Sequence, residues 1–179
     1  MHKQDRKDLA FQDRAIGSRS ANTTMTIRLC SGTGEGPTPL AAFDAALVDA
    51  GVADHNLICL SSVIPRNALI VREKYRMPAS DYGRRLYVVI SEMRQCAVGR
   101  EAHAGIGWIQ DEDSGCGLFV ELHHEDRAQL ERDIHETLES MRSSRPTRYG
   151  QVHTAVASGV CTGWPVCALV SAVYACEPW

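Results

Sequence analysis

Residues 28–65, RLCSGTGEGPTPLAAFDAALVDAGVADHNLICLSSVIP, decide how the rest of the chain is read. The run begins inside 25–30 (MTIRLC), which has the apolar and β-branched content of a strand, and continues into 31–36, where Gly32, Gly34 and Gly36 alternate with other residues. That spacing predicts a tight strand-to-helix connection. A phosphate loop is the poorer reading, because no Gly-Lys-Ser/Thr follows and the glycines lack dinucleotide-binding spacing. Thr38 as N-cap and Pro39 at the first helical position open a helix that Gly51 closes, with Leu40, Phe43 and Leu47 marking its apolar face. Asp44 falls at the edge of that face, where a carboxylate either borders solvent or calls for a cationic partner. From 56 to 64 (NLICLSSVI) the residues are apolar or small until Pro65 stops them, which predicts a central strand or strand end carrying the pair Ser61 and Ser62.

Working outward, strands are predicted at 85–92 (RLYVVISE), 102–110 and 117–123, the last two forming a hairpin around the acidic turn 111–115. Leu130, Ile134, Leu138 and Met141 recur at helical spacing and predict a long amphipathic helix over 124–143, ended by Arg145 and Pro146. Residues 149–176 carry no charge and are long enough to suggest a membrane span. Gln151, His153, Thr154, Ser158, Thr162 and Pro165 interrupt them, and turns at Ser158-Gly159 and Gly163-Trp164-Pro165 divide them, so two buried strands are the better reading. The order predicts an α+β protein in layers, with helices covering mainly antiparallel sheets. Residues 1–24 read as a disordered tail with Met25 as a second candidate start, and 25–179 as a single domain.

The 179 residues hold 19 Lys+Arg against 22 Asp+Glu, a net charge of −3 with no basic run, which excludes the electrostatic footprint of nucleic-acid binding. The seven cysteines include no Cys-x-x-Cys pair and sit mostly among apolar residues. They read as small buried hydrophobes of a reducing compartment, the cytoplasm. His123 and His124, with Glu121 and Glu125 nearby, do not converge on a metal, because neighbouring residues of a strand face opposite ways. No Gly-x-Ser-x-Gly is present and no motif ties a histidine to the paired serines, so a triad hydrolase is poorly supported.

The Ala-Phe-Asp-x-Ala-Leu helix at 42–47, Asn56 five residues before Ser61-Ser62, and Glu121 in the run GLFVELHH together resemble the pyruvoyl-dependent arginine decarboxylase family. The resemblance extends from about Met25 to the end of the chain. It implies an αββα sandwich with mainly antiparallel sheets, as in the pyruvoyl-dependent histidine and arginine decarboxylases. It also implies self-cleavage between Ser61 and Ser62, giving chains 1–61 and 62–179. The Ser62 hydroxyl attacks the preceding carbonyl, and elimination from the resulting ester leaves a dehydroalanine that loses ammonia to become a pyruvoyl group. Neither a metal nor pyridoxal phosphate is then needed.

By the same resemblance Glu121 returns a proton to the decarboxylated carbon, Asn56 stabilises an oxyanion or orients substrate, and Asp44 reads the arginine side chain with Leu47 lining the apolar part of its pocket. Six residues of strand span about 20 Å, so Asn56 reaches Ser62 only if the strand bends or the site lies between subunits. The family's trimeric assembly favours a homotrimer with interfacial sites. The expected reaction is L-arginine to agmatine and carbon dioxide. The alternatives are the same chemistry on another cationic amino acid and an unprocessed, non-catalytic oligomer subunit of the same fold.

Overall fold

In chain order the elements are β1 (Met25–Glu35), α1 (Pro39–Ala50), β2 (Asn56–Cys59), β3 (Val63–Ile64), β4 (Ala68–Arg72), β5 (Arg85–Gln95), β6 (Glu101–Gln110), β7 (Gly117–His124), α2 (Arg127–Ser143), β8 (His153–Val160) and β9 (Val166–Glu177). They belong to a computed structural model that describes residues 24–179, so the expected N-terminal tail lies, but for Thr24, outside the described residues. Five strands form one sheet in the order β2-β5-β9-β1-β4, and four form a second in the order β3-β7-β6-β8. Five of the seven strand pairings are antiparallel, the exceptions being β1 with β4 and β2 with β5.

The sheets face each other across a core to which Ile27, Val89 and Ala172 of one and Ile106, Trp108 and Phe119 of the other contribute. Alternation along each strand sends the intervening residues outward. There α1 covers the five-stranded sheet through Leu86, Val88 and Leu169, and α2 covers the four-stranded sheet through Ile109, Leu118 and Val120. The result is the αββα sandwich. Among the described residues no helix is long and apolar enough to cross a membrane.

The two helices are seated by opposite means. On α2 the predicted stripe holds: Leu130, Ile134 and Leu138 are fully buried, each worth roughly 1.5–3 kcal/mol of transfer energy. On α1 the buried positions are Ala42, Ala46 and Ala50, while Leu40 is 67% exposed and Phe43 and Leu47 are only partly covered, contrary to the expected apolar face. The glycines explain the difference. A Cβ on Gly32 would lie 2.2 Å from the Ala46 carbonyl oxygen, and one on Gly34 would lie 2.3 Å from the Ala46 nitrogen. Strand and helix therefore meet backbone to backbone, where only alanine fits, and the larger side chains are turned to the flanks. Gly32 and Gly34 belong to β1, which runs to Glu35, and only Gly36 lies in the connection that the glycine spacing predicts. The caps fall where expected: the Thr38 hydroxyl accepts from Ala41 N at 3.1 Å, and Gly51 closes the helix at φ 82°.

Other expectations are corrected by tertiary pairing. The single strand over 56–64 is two short strands in different sheets, and β2 is an edge strand, not a central one. β4 was not anticipated; its ALIVR run is short and gains its partner only by lying parallel to β1. α2 begins at Arg127 under an Asp126 cap because β7 carries the chain through His124, and Ser158-Gly159 lies within β8, paired to β6, and makes no turn. All seven cysteines are free thiols, but Cys59 and Cys96 are exposed, not buried as their apolar neighbours suggested. Burial pushes the Cys30 thiol up to about 11 and, together with the Glu92 charge, the Cys167 thiol up to about 12.

Candidate active site at the crossing between the sheets

The chain leaves the five-stranded sheet at Leu60, whose N–H donates to Val88 O at 2.9 Å, and joins the four-stranded sheet at Ser62, whose carbonyl accepts from Phe119 N at 2.8 Å. Only Ser61 lies between these anchors. To make so abrupt a crossing Ser62 takes φ 49°, a left-handed conformation that costs a non-glycine residue about 1–2 kcal/mol. The break in the predicted strand is thus a strained bend between two edge strands. Ser61 is exposed there and Ser62 half-buried.

The bend carries Ser62 onto Glu121, and the Ser62 hydroxyl donates a hydrogen bond to Glu121 Oε1. Glu121 shares the face of β7 that bears Phe119, so it points between the sheets and is half-buried. A hydroxyl beside a carboxylate, on the residue following an exposed peptide bond, is an arrangement in which the oxygen can be deprotonated as it attacks the preceding carbonyl.

Tyr174 completes the cluster, and no motif pointed to it. It stands in β9 among small apolar residues, and its ring packs edge-on to Phe119 at 6.2 Å. Its hydroxyl donates to Val63 O at 3.0 Å. Burial first, and then the negative charge of Glu121, push its phenol well above the usual tyrosine range, so it stays a donor at all ordinary pH. A lone aromatic hydroxyl in the run SAVYAC was the only sequence signal for it.

The remaining expected residues are not gathered here. Asn56 bends away from Ser62: its side-chain amide donates to Gly83 O at 2.6 Å, at the opposite end of β2. Asp44 is exposed on α1, on the outer face of the five-stranded sheet, and has no ion-pair partner among the described residues. Leu47, beside it, is partly covered by the core under α1. A cleft of about 600 Å³ bounded by Gln110, Glu112, Gln151 and His153 takes in neither Ser62 nor Glu121. No group of three or more His, Cys, Asp or Glu arranged to hold a metal occurs among the described residues.

The family model for pyruvoyl-dependent arginine decarboxylase matches residues 26–176, which include β1, the crossing and Glu121. The chain belongs to this family. Among curated proteins it is similar to three that bear the name pyruvoyl-dependent arginine decarboxylase. With the one from Methanopyrus kandleri it shares 37% identity over 131 residues, 73% of this chain and 82% of the relative. With that of Methanothermobacter thermautotrophicus it shares 39% over 92 residues, 51% and 58% of the two chains, and with that of Halobacterium salinarum 40% over 95 residues, 53% and 58%. The matched part thus spans between just over half and about four fifths of these relatives. Pyruvoyl-dependent arginine decarboxylases are lyases that carry a pyruvoyl prosthetic group.

Proposed function

We propose that the chain cuts itself between Ser61 and Ser62 and that the resulting chains, 1–61 and 62–179, decarboxylate L-arginine to agmatine and carbon dioxide. The observation that carries this reading is the strained crossing: a serine at φ 49° whose hydroxyl rests on a half-buried glutamate. Glu121 accepts the hydroxyl proton as Ser62 Oγ bonds to the Ser61 carbonyl carbon; the bond from that carbon to the Ser62 nitrogen breaks, and the nitrogen takes the proton. Loss of a proton from the Ser62 Cα then expels Ser61 as a carboxylate, and hydrolysis of the dehydroalanine releases ammonia and leaves a pyruvoyl group at position 62. Cutting this bond removes the strained φ torsion, so the local strain is released in the step that makes the group. Position 62 fits the group for that reason, and because Phe119 N holds its carbonyl on β7.

When bound, the pyruvoyl group supplies a carbonyl that condenses with the substrate amine and accepts the electrons left by the departing carboxylate. Glu121, facing the same space between the sheets, holds the proton for the decarboxylated carbon. Asp44, exposed and without an ion-pair partner among the described residues, is suited to a guanidinium through paired N–H···O bonds, with Leu47 beside it. Asn56 supplies hydrogen bonds to an oxyanion or to substrate. No role falls to a metal or to pyridoxal phosphate. Because Asp44 lies on the far side of a sheet from Glu121, we assign substrate recognition to a neighbouring subunit in a homotrimer. Seven free thiols suit a cytoplasmic enzyme.

Denaturing electrophoresis tests the first step: the wild-type chain gives fragments of 61 and 118 residues (179 − 61), Ser62→Ala a single uncut chain, and mass spectrometry finds no serine amino terminus on the larger fragment. An uncut wild-type chain overturns the reading. Carbon dioxide release assayed with arginine, lysine and ornithine tests the substrate. Asp44→Ala leaves self-cleavage intact and raises the Michaelis constant for arginine about 10- to 100-fold, the loss of a charge-assisted bidentate pair; an unchanged constant removes Asp44 from recognition.

A further inference from the structure

The bend at residues 62 and 63 is gripped from two strands. Phe119 N takes its carbonyl and Glu121 its hydroxyl, both from β7 in the four-stranded sheet. The grip from the other sheet is the Tyr174 hydroxyl, reaching across from β9 to the Val63 carbonyl at 3.0 Å. On the other side of the bend, Leu60 is tied to β5. The strained serine is thus bracketed by bonds to the five-stranded sheet on both sides, at 60 and at 63, and drawn towards the four-stranded sheet in the middle. A non-glycine residue persists at positive φ only where its surroundings over-determine it. Without the Tyr174 bond, Val63 would be held by β7 alone and the bend would be free to relax toward an ordinary strand conformation, carrying the Ser62 hydroxyl away from the Ser61 carbonyl.

We propose that Tyr174 is a positioning residue for self-cleavage: by holding the Val63 carbonyl it keeps residue 62 in the conformation that places the Ser62 hydroxyl between the Ser61 carbonyl and Glu121. This rests on the reading of Ser62 as the residue that is cut. Tyr174 exchanges no proton and forms no bond with the reacting atoms. After cleavage the same contact anchors the start of the larger chain, so residue 62 keeps its place beside Glu121. Arginine recognition, assigned to Asp44 and Leu47 of a neighbouring subunit, does not depend on it.

Tyr174→Phe removes only the hydroxyl and keeps the edge-on contact with Phe119. Cleavage is followed by denaturing gel over time after synthesis, and stability is compared in the uncut Ser62→Ala background with and without Tyr174→Phe. The expected result is cleavage slowed by about five- to ten-fold, the range for loss of one hydrogen bond, with melting temperatures in the uncut background within about 2 °C of each other. Fully processed Tyr174→Phe enzyme then shows a lowered kcat at an unchanged KM for arginine. Cleavage at the wild-type rate overturns the proposal, as does slowing matched by a general loss of stability. A wild-type chain that stays uncut strikes instead at the reading of Ser62, so the two failures are distinguishable.

Discussion

The chain crosses outward from the five-stranded to the four-stranded sheet at 60–62 and again at 96–100, and the two crossings meet the same need for a left-handed residue in different ways. At the second, Gly99 takes φ 81° in open space, its N–H on Cys161 O, and Arg100 closes a turn onto Ala97 O. Glycine adopts this conformation without a steric penalty. The return crossing after β3 places Asn67 at φ 60°, a residue type tolerant of that region. Only at 62 does serine stand where glycine or asparagine would do better. The difference teaches that the bend alone does not account for serine at position 62, since its side chain makes the bend more costly while its hydroxyl reaches Glu121.

The largest expected effect inverts the two crossings at position 62. Ser62→Gly gives an uncut, inactive chain on a denaturing gel that nonetheless melts above Ser62→Ala by roughly 2–4 °C, because glycine relieves about 1 kcal/mol of left-handed strain. Equal melting points would mean that Ser62 is not strained. The mirror change shifts stability alone: Gly99→Ala has room for its methyl group, pays only the conformational penalty, and lowers the melting temperature by about 2–4 °C while processing runs at the wild-type rate. Slowed processing in this variant would show that the crossings are coupled.

The smallest perturbation is chemical. Cys59 and Cys96, exposed at the mouths of the two crossings, take an alkylating reagent in the native protein at neutral pH, whereas Cys30 and Cys167 are protected by burial and by thiols raised to about 11 and about 12. Peptide mapping after processing then finds the Cys59 label on chain 1–61 and the Cys96 label on chain 62–179. Both chains are expected to stay together in the native state, because β1, in the first, lies between β9 and β4, in the second. Early modification of Cys30 would contradict that packing.

Much of this was legible residue by residue. The Thr38 and Gly51 caps, the Leu130-Ile134-Leu138 stripe and the uncharged run that becomes β8 and β9 are local patterns, and local chemistry sufficed to read them. The α1 face misled, because Leu40 and Phe43 announce burial while the decision lay with Gly32 and Gly34 on another element. At the site, the residue types that marked Ser61, Ser62, Asn56, Asp44 and Glu121 were visible as a set, but not which of them meet.

By itself the sequence determined the α+β class, the two helices, the family, and a serine pair placed ahead of a proline stop. Tertiary structure alone decided that the run 56–64 splits between two sheets, that Ser62 is thereby forced to positive φ, and that its hydroxyl meets a glutamate 59 positions away while Tyr174 clamps the next carbonyl. The physical reason is that a strand's own pattern specifies which face is buried but not which partner it pairs with. Strain and convergence of side chains arise only once both partners, β5 on one side of the bend and β7 on the other, are in place.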